Sequence, residues 1–260
     1  MYKRMNEQLQ KEGAMALVTG ASSGIGLAYA RELARRGYDL LLVSNEQERI
    51  GTVAEELAAA FGVKTIPLCM DLARSEAARE LYDYCEREKL QIGILVNNAG
   101  IFFFDDLTEV APERIETMLL LHIRTVTLLC RYFGAAMKRR RAGYILNMSS
   151  LSAWTPAPGI SVYAASKSYI RKFSQILRYE LHQYGVGVTT VCPGAIATGL
   201  YNLSDYYQRL ARKGLRAMFA RRDYILPGAV NRFFVLALYL LPVQLIYYIK
   251  EHTKLYRYGR

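Results

Sequence analysis

The four cysteines of this chain, Cys69, Cys85, Cys130 and Cys192, are scattered, and no CxxC pair occurs. That spacing argues against a zinc site and against a disulfide framework, and it fits a reducing compartment. The N-terminal stretch MYKRMNEQLQKEG is basic and polar with no apolar core, so no secretory leader is expected and a cytoplasmic location is. Acidic side chains are in short supply: 23 Asp and Glu face 34 Lys and Arg, a net charge of +11. This excess leaves nucleic acid, anionic membrane and phosphorylated small molecules open as partners. No basic stretch is interleaved with aromatics and no known reader module is visible, so nucleic acid is not expected. Nor is there an internal repeat, a low-complexity tract or a Pro/Gly/Ser-rich linker. With 52% hydrophobic residues in 260, one sizeable core and a single domain are expected.

What is present is a rhythm of short apolar runs and helical patterns. Residues 14–19 (AMALVT), 39–44 (DLLLVS), 64–69, 93–96 (GILV), 143–148 (GYILNM) and 186–192 read as strands, and 224–226 as a last one. Helical patterns fill the intervals at about 25–36, 47–61, 74–89, 112–137, 161–184 and 203–222. Strands alternating with helices imply right-handed crossovers and a doubly wound (Rossmann) parallel sheet of about seven strands, with helices on both faces. In such a sheet ligands bind beyond the C-terminal strand ends. The sequences that follow the strands here are GASSGIG, Asp71-Leu72, NNAG, Ser149-Ser150 and Pro193-Gly194, all on that edge. Strand, glycine turn and helix in succession suit a pyrophosphate, because glycines admit close approach and the helix start offers free N–H groups.

Within the helix over 161–184, Tyr163 and Lys167 stand four residues apart and share a face. A phenol beside an ammonium is a chemical pairing: the positive charge favours phenolate, lowers the tyrosine pKa and makes a usable proton donor. The same spacing also describes two ordinary surface residues one turn apart.

Taken together, these residues resemble the short-chain dehydrogenase/reductase family over about 14–200. The motifs TGASSGIG (19–26), NNAG (97–100), Ser150 thirteen residues before Tyr163, YAASK (163–167) and PGAIATG (193–199) follow the family's order. The resemblance implies an NAD(P)-dependent oxidoreductase in which Tyr163 is the acid for carbonyl reduction. Lys167 would lower its pKa and bond the nicotinamide ribose, and Ser150 would hold the substrate oxygen. It also implies cofactor contacts by Gly20, Ser22, Ser23, Gly24, Ile25 and Gly26 at the pyrophosphate. Asp71 and Leu72 would meet adenine, Asn98, Ala99 and Gly100 its ribose, and Pro193, Gly194, Ile196 and Thr198 the nicotinamide. No metal is implied.

One position departs from the family pattern. Where many members carry a relay asparagine on the long central helix, this chain has His122. Either local hydrogen bonds satisfy that imidazole, or it relays protons itself, since histidine titrates near neutral pH. At the end of the second strand, an NAD user needs a carboxylate for the ribose 2′-hydroxyl. Ser44 and Asn45 stand there instead, and Glu46 is expected to point into the helix start. With Ser22, Ser23, Ser44 and Asn45 as neutral donors and Arg49 within reach, NADP(H) is expected over NAD(H).

The C-terminal third should set the substrate. Residues 203–222 form a basic amphipathic segment, expected to cover the substrate pocket with Tyr206, Tyr207, Leu210, Leu215, Met218 and Phe219. Arg209, Arg212, Lys213, Arg216, Arg221 and Arg222 would face outward, either as a solvated face or against anionic lipid or a phosphate-bearing carrier. Residues 233–249 are strongly apolar but contain Pro242 and Gln244. At 17 residues they fall short of the about 20 that cross a bilayer. Core or subunit packing, a membrane-surface helix and a crossing helix stay open. The domain expectation is therefore one unit over 1–260, with 1–13 a short arm and about 228–260 an apolar helical extension. The activity expected is NADPH-dependent reduction of a hydrophobic ketone, such as a 3-keto sphingoid or fatty-acyl compound or a steroid, by a homodimer or homotetramer. The alternative is a catalytically silent cofactor-binding sensor or scaffold.

Overall fold

A computed structural model of the chain describes residues 2–155, 158–194 and 203–240. Seven strands form one sheet: β1 (Met15–Thr19), β2 (Leu40–Ser44), β3 (Thr65–Cys69), β4 (Ile92–Asn97), β5 (Gly143–Met148), β6 (Val186–Val191) and β7 (Tyr224–Ile225). The strand order is β3-β2-β1-β4-β5-β6-β7, with every neighbour pair parallel. The doubly wound expectation is met. The order reverses between β1 and β4, which opens a crevice at their C-terminal ends.

The apolar runs are continuous because both sheet faces are covered. In β1, Ala16 and Val18 point to one core, which α2 (Gly24–Ala34), α3 (Gln47–Phe61) and α8 (Leu203–Phe219) close through Leu33, Ile50, Leu57 and Leu215. Met15 and Leu17 point to the other, closed by α4 (Ala77–Arg87), α6 (Val126–Arg140) and α7 (Ser161–His182) through Leu81, Leu129, Phe133 and Leu181. After β7 the chain enters α9 (Ala229–Leu240).

Three expectations need correction. The helix read over 112–137 is α5 (Pro112–Leu119), then a π-helical turn at Leu120–Thr125, then α6. The wider turn inserts one residue and aims both His122 and Thr125 inward, where Thr125 Oγ1 donates to Leu72 O at 2.8 Å. Four of the six residues in the apolar stripe of α8 do not line a substrate pocket. Leu210, Leu215, Met218 and Phe219 are buried in the core, because α8 lies against α2, with Gly214 giving Tyr29 its space. Arg221 is buried rather than outward; its guanidinium bonds Gly185 O.

The arm expected at 1–13 contains α1 (Tyr2–Lys11), and Leu9 is fully buried. Its methyl groups lie over Gly93, where an added Cβ would come within 3.2 Å of Leu9 Cδ2. Leu9→Ala should therefore destabilise the fold by about 2–5 kcal/mol, the usual cost of a core leucine truncation. Urea denaturation checks this; a midpoint equal to wild type would show that α1 is not part of the cooperative unit.

Candidate active site

The crevice is built on Thr19, the last residue of β1. Its Oγ1 donates to Val96 O at 3.3 Å and accepts from the amides of Asn98 at 2.9 Å and Ala99 at 3.0 Å. Asn98 returns the tie, its Nδ2 donating to Thr19 O at 3.0 Å. These bonds hold the NNAG loop over the glycine turn. Gly26 is required there, since a Cβ would fall 1.9 Å from Gly20 O. Gly20 sits at φ +64° with Asn98 and Ala99 within 3.0 Å of where its Cβ would be.

A groove of about 400 Å³ runs from this turn. Of the residues expected to hold the cofactor, Gly20, Ser22, Ser23, Gly24, Ile25, Ser44, Asn45, Asp71, Leu72, Asn98, Ala99 and Gly100 line it. Gly26 lies beneath. Pro193 and Gly194 follow β6, with Pro193 O accepting from Leu151 N at 2.8 Å. Ile196 and Thr198 lie outside the described residues. A dinucleotide fits this cradle. The N-terminus of α2 carries no side-chain cap, which leaves first-turn N–H groups to meet a phosphate.

Five further groove residues, Glu46, Met70, Ile101, Leu121 and Tyr207, were not expected there. Tyr207 of α8 reaches the glycine turn, with its ring 3.9 Å from the Cβ position of Gly24. Glu46 makes no capping bond and lines the groove, contrary to the expectation that it turns into the helix start. Its own amide instead donates to Ser44 Oγ at 3.2 Å, and Ser44 Oγ donates to Ser22 Oγ at 2.9 Å. Arg49, one turn into α3, donates from Nε to Ser22 O at 3.0 Å.

Ser150, Tyr163 and Lys167 meet at the crevice. Ser150 follows β5 and accepts from Ser152 N at 3.1 Å, capping a short 3₁₀ turn. Lys167 is buried and donates from Nζ to Met148 O at 3.2 Å, with Nζ 5.5 Å from the centre of the Tyr163 ring. Its neighbour Ser149 is structural, donating to Lys167 O at 2.7 Å. The electrostatics differ from expectation. Burial raises the Tyr163 pKa above its usual value, and a hydrogen bond with Ser150 opposes that rise. Burial likewise holds Lys167 down to about 8. Desolvation disfavours both charged forms, so Lys167 does not bring the phenol below its ordinary range.

His122 is fully buried and both its nitrogens are engaged. The Ile101 amide donates to Nε2 at 3.0 Å. That fixes the tautomer: Nδ1 carries the proton and donates to Ser166 Oγ at 2.9 Å, and Ser166 donates to Tyr163 O at 2.8 Å. Burial, with Lys167 nearby, lowers its pKa to about 2. The relay assigned to His122 has no free nitrogen to run through and no titration near neutrality. The imidazole instead pins the NNAG loop to α7. The sequence signal was there in the polar pair His122 and Thr125, which face a core from the middle of an apolar helix.

The stretch Ile101–Asp106, not singled out in the sequence, forms one wall. Phe102 is 60% exposed and meets Tyr163 edge-on with ring centres 4.9 Å apart. Phe104, also exposed, covers Gly159.

Residues 14–205 match the family model for short chain dehydrogenases. The chain belongs to that family. It is 37% identical over 199 residues to a very-long-chain 3-oxoacyl-CoA reductase of Anas platyrhynchos, covering 74% of this chain and 62% of that protein. It is 32% identical over 206 residues to an inactive hydroxysteroid dehydrogenase-like protein 1 of Homo sapiens, covering 77% and 61%. This short-chain dehydrogenase thus spans about three fifths of the length of these curated relatives. Among solved structures it resembles a short-chain dehydrogenase from Sphingobium yanoikuyae in complex with NADPH. The TM-score is 0.76 with 29% identity, covering 94% of this chain and all of that one.

The charge states set a pH dependence. Lys167 is an ammonium below about 8 and neutral above it. A phenolate left after proton donation loses its counter-charge as pH rises through that value. kcat/KM for ketone reduction, which reports the free enzyme, should be flat on the acid side and fall above about pH 8. His122→Leu should keep that shape while costing ~1–3 kcal/mol of stability, because the Ile101 N–H loses its acceptor. An acid limb between about pH 5 and 7 that disappears in His122→Leu would restore the relay.

Proposed function

We propose that this short-chain dehydrogenase reduces a ketone on a hydrophobic molecule, using NADPH. The observation that carries the proposal is the exposed Phe102 ring packed edge-on against the Tyr163 phenol, inside a site with Ser150 and Lys167 in place. An apolar wall at the proton donor favours an apolar neighbour to the reacting carbonyl. The bound nicotinamide supplies the hydride to the carbonyl carbon. Tyr163 gives its phenolic proton to the carbonyl oxygen, which Ser150 holds in place. Lys167 supplies positive charge beside the phenolate that remains. Among relatives, the name 3-oxoacyl-CoA reductase supports a fatty-acyl 3-ketone, and 17-beta-hydroxysteroid dehydrogenase type 3 of Danio rerio, 34% identical, supports a steroid. One relative is described as inactive. The second reading, a silent cofactor-binding protein, is therefore kept, and the intact Ser150, Tyr163 and Lys167 set weighs against it. The exposed Tyr169, Ile176 and Tyr179 on α7 support a homo-oligomer formed through that face.

NADPH consumption against ketones graded in chain length and ring content tests the activity. Tyr163→Phe should cut turnover at least ~10²-fold, the scale of a lost general acid, with NADPH affinity nearly unchanged. Full turnover in Tyr163→Phe would place the acid elsewhere. No turnover on any ketone, with NADPH still bound, would favour the silent reading.

Cofactor choice turns on two side chains just after β2, Glu46 before α3 and Arg49 in its first turn. Arg49, anchored on Ser22 O, supports a 2′-phosphate, as do the NADPH and NADP in solved relatives. Glu46, on the groove wall, favours a ribose 2′-hydroxyl. NADPH should lead NADH by at least ~10-fold in kcat/KM, a margin of about 1.4 kcal/mol. Arg49→Ala should narrow the margin and Glu46→Gln widen it. A preference for NADH abolished by Glu46→Gln would reverse the assignment.

A further inference from the structure

A second, larger groove of about 1070 Å³ lies between the C-terminal half of α8, β7 and α9. Four cations line it: Lys213, Arg216, Arg222 and Arg232. All four are exposed, and among the described residues none has an ion-pair partner and no acid lines the groove. Beside them stand large apolar side chains left exposed among the described residues: Tyr224 is 51% exposed, Leu236 60% and Phe233 73%. Between Tyr206 and Lys250 the chain carries a single acid, Asp223.

We propose that this face docks on an anionic lipid surface. A cationic rim around protruding aromatic and aliphatic residues is the composition that an interfacial element needs: the cations meet headgroup charge while Phe233 and Leu236 enter the acyl boundary. The other candidate occupants fit less well. Two copies of the face brought together about a twofold axis would oppose Lys213, Arg216, Arg222 and Arg232 with themselves, and like charges across an interface repel. The chain's own C-terminal segment brings Lys250, Lys254, Arg257 and Arg260 against one acid, Glu251, and so adds the same sign. A small anionic ligand would leave Phe233 and Leu236 in water. Among the described residues no helix is long and apolar enough to cross a membrane.

The face is also connected to the active-site loop. Trp154, four residues beyond Ser150, lines the groove with its ring 5.8 Å from that of Tyr224. Leu151 and Trp154 pack on Cys192, Leu226 and Val235. A docked protein would thus present the loop after Ser150 toward the bilayer. The docking itself does not rest on the reductase reading.

Sedimentation of the full chain with vesicles tests the proposal, comparing phosphatidylcholine alone with mixtures containing phosphatidylserine. The protein should co-sediment with the anionic vesicles only, and release as salt rises. The triple variant Lys213→Glu, Arg216→Glu, Arg232→Glu should lower partitioning at least ~10-fold. Phe233→Ser with Leu236→Ser should lower it as well. NADPH binding, read by fluorescence in each variant, should match wild type and shows that the fold is intact. The proposal is overturned if the full chain ignores anionic vesicles at low salt. It is overturned equally if the charge-reversed variant sediments like wild type, which would give the attachment to the C-terminal segment. Conversion of an oligomer to a monomer by Phe233→Ser and Leu236→Ser, without vesicle binding by wild type, would assign the face to a second copy.

Discussion

A single hydroxyl holds the site's two halves in register. Thr19 Oγ1 bonds Val96 O and the amides of Asn98 and Ala99, and so closes the gap that the strand order opens between β1 and β4. Without that tie, two adjacent strand ends would each present unsatisfied polar groups at the point where a cofactor must enter. The glycine turn follows Thr19 directly and the NNAG loop follows Val96, so their separation is fixed by the Thr19 hydroxyl together with the Asn98 side-chain amide that bonds back to Thr19 O. From the far side of the NNAG loop, His122 takes the Ile101 amide and passes the constraint through Ser166 to the backbone of Tyr163. The glycine turn and Tyr163 are thereby linked by hydrogen bonds that start in the sheet.

The same enclosure shapes the chemistry. Lys167 and Tyr163 lie where water is scarce, and each prefers its neutral form more than it would in solvent. A pair poised in this way does little in isolation. Charge separation within it is favoured where a phenolate and the Lys167 ammonium answer each other across a low-dielectric gap. Burial of the lysine therefore raises the value of its charge in the step where charge appears.

Most of the scaffold was legible because a parallel sheet covered on both faces writes its strands as unbroken apolar runs, and β1, β2 and β5 are buried along their whole lengths. The glycine turn and the shared face of Tyr163 and Lys167 were legible from local spacing, and their grouping with Ser150 came from the resemblance to the short-chain dehydrogenase/reductase family. What stayed hidden depends on tertiary partners. The stripe on α8 announces an apolar surface without saying that α2 receives it, and Gly214 opposite Tyr29 is visible only once the helices meet. The engagement of His122 depends on an amide twenty-one residues upstream and a hydroxyl forty-four downstream. Glu46 was misplaced because a helix start readily accepts a carboxylate.

The π turn at Leu120–Thr125 has a mechanical meaning. An α-helix advances about 100° per residue, so one extra residue in a turn sets α5 and α6 out of phase by roughly that angle. α6 keeps Leu129 and Phe133 against the sheet while α5 turns Met118 toward Phe103 and Val110, in the small cluster that also contacts Tyr163. Removing one residue from the turn would restore a regular helix and rotate that cluster away from the phenol, without touching a strand. The wide turn works as a gear between the sheet and the rim of the pocket: the core can be conserved in shape while single-residue changes in its length re-aim the wall that substrates meet.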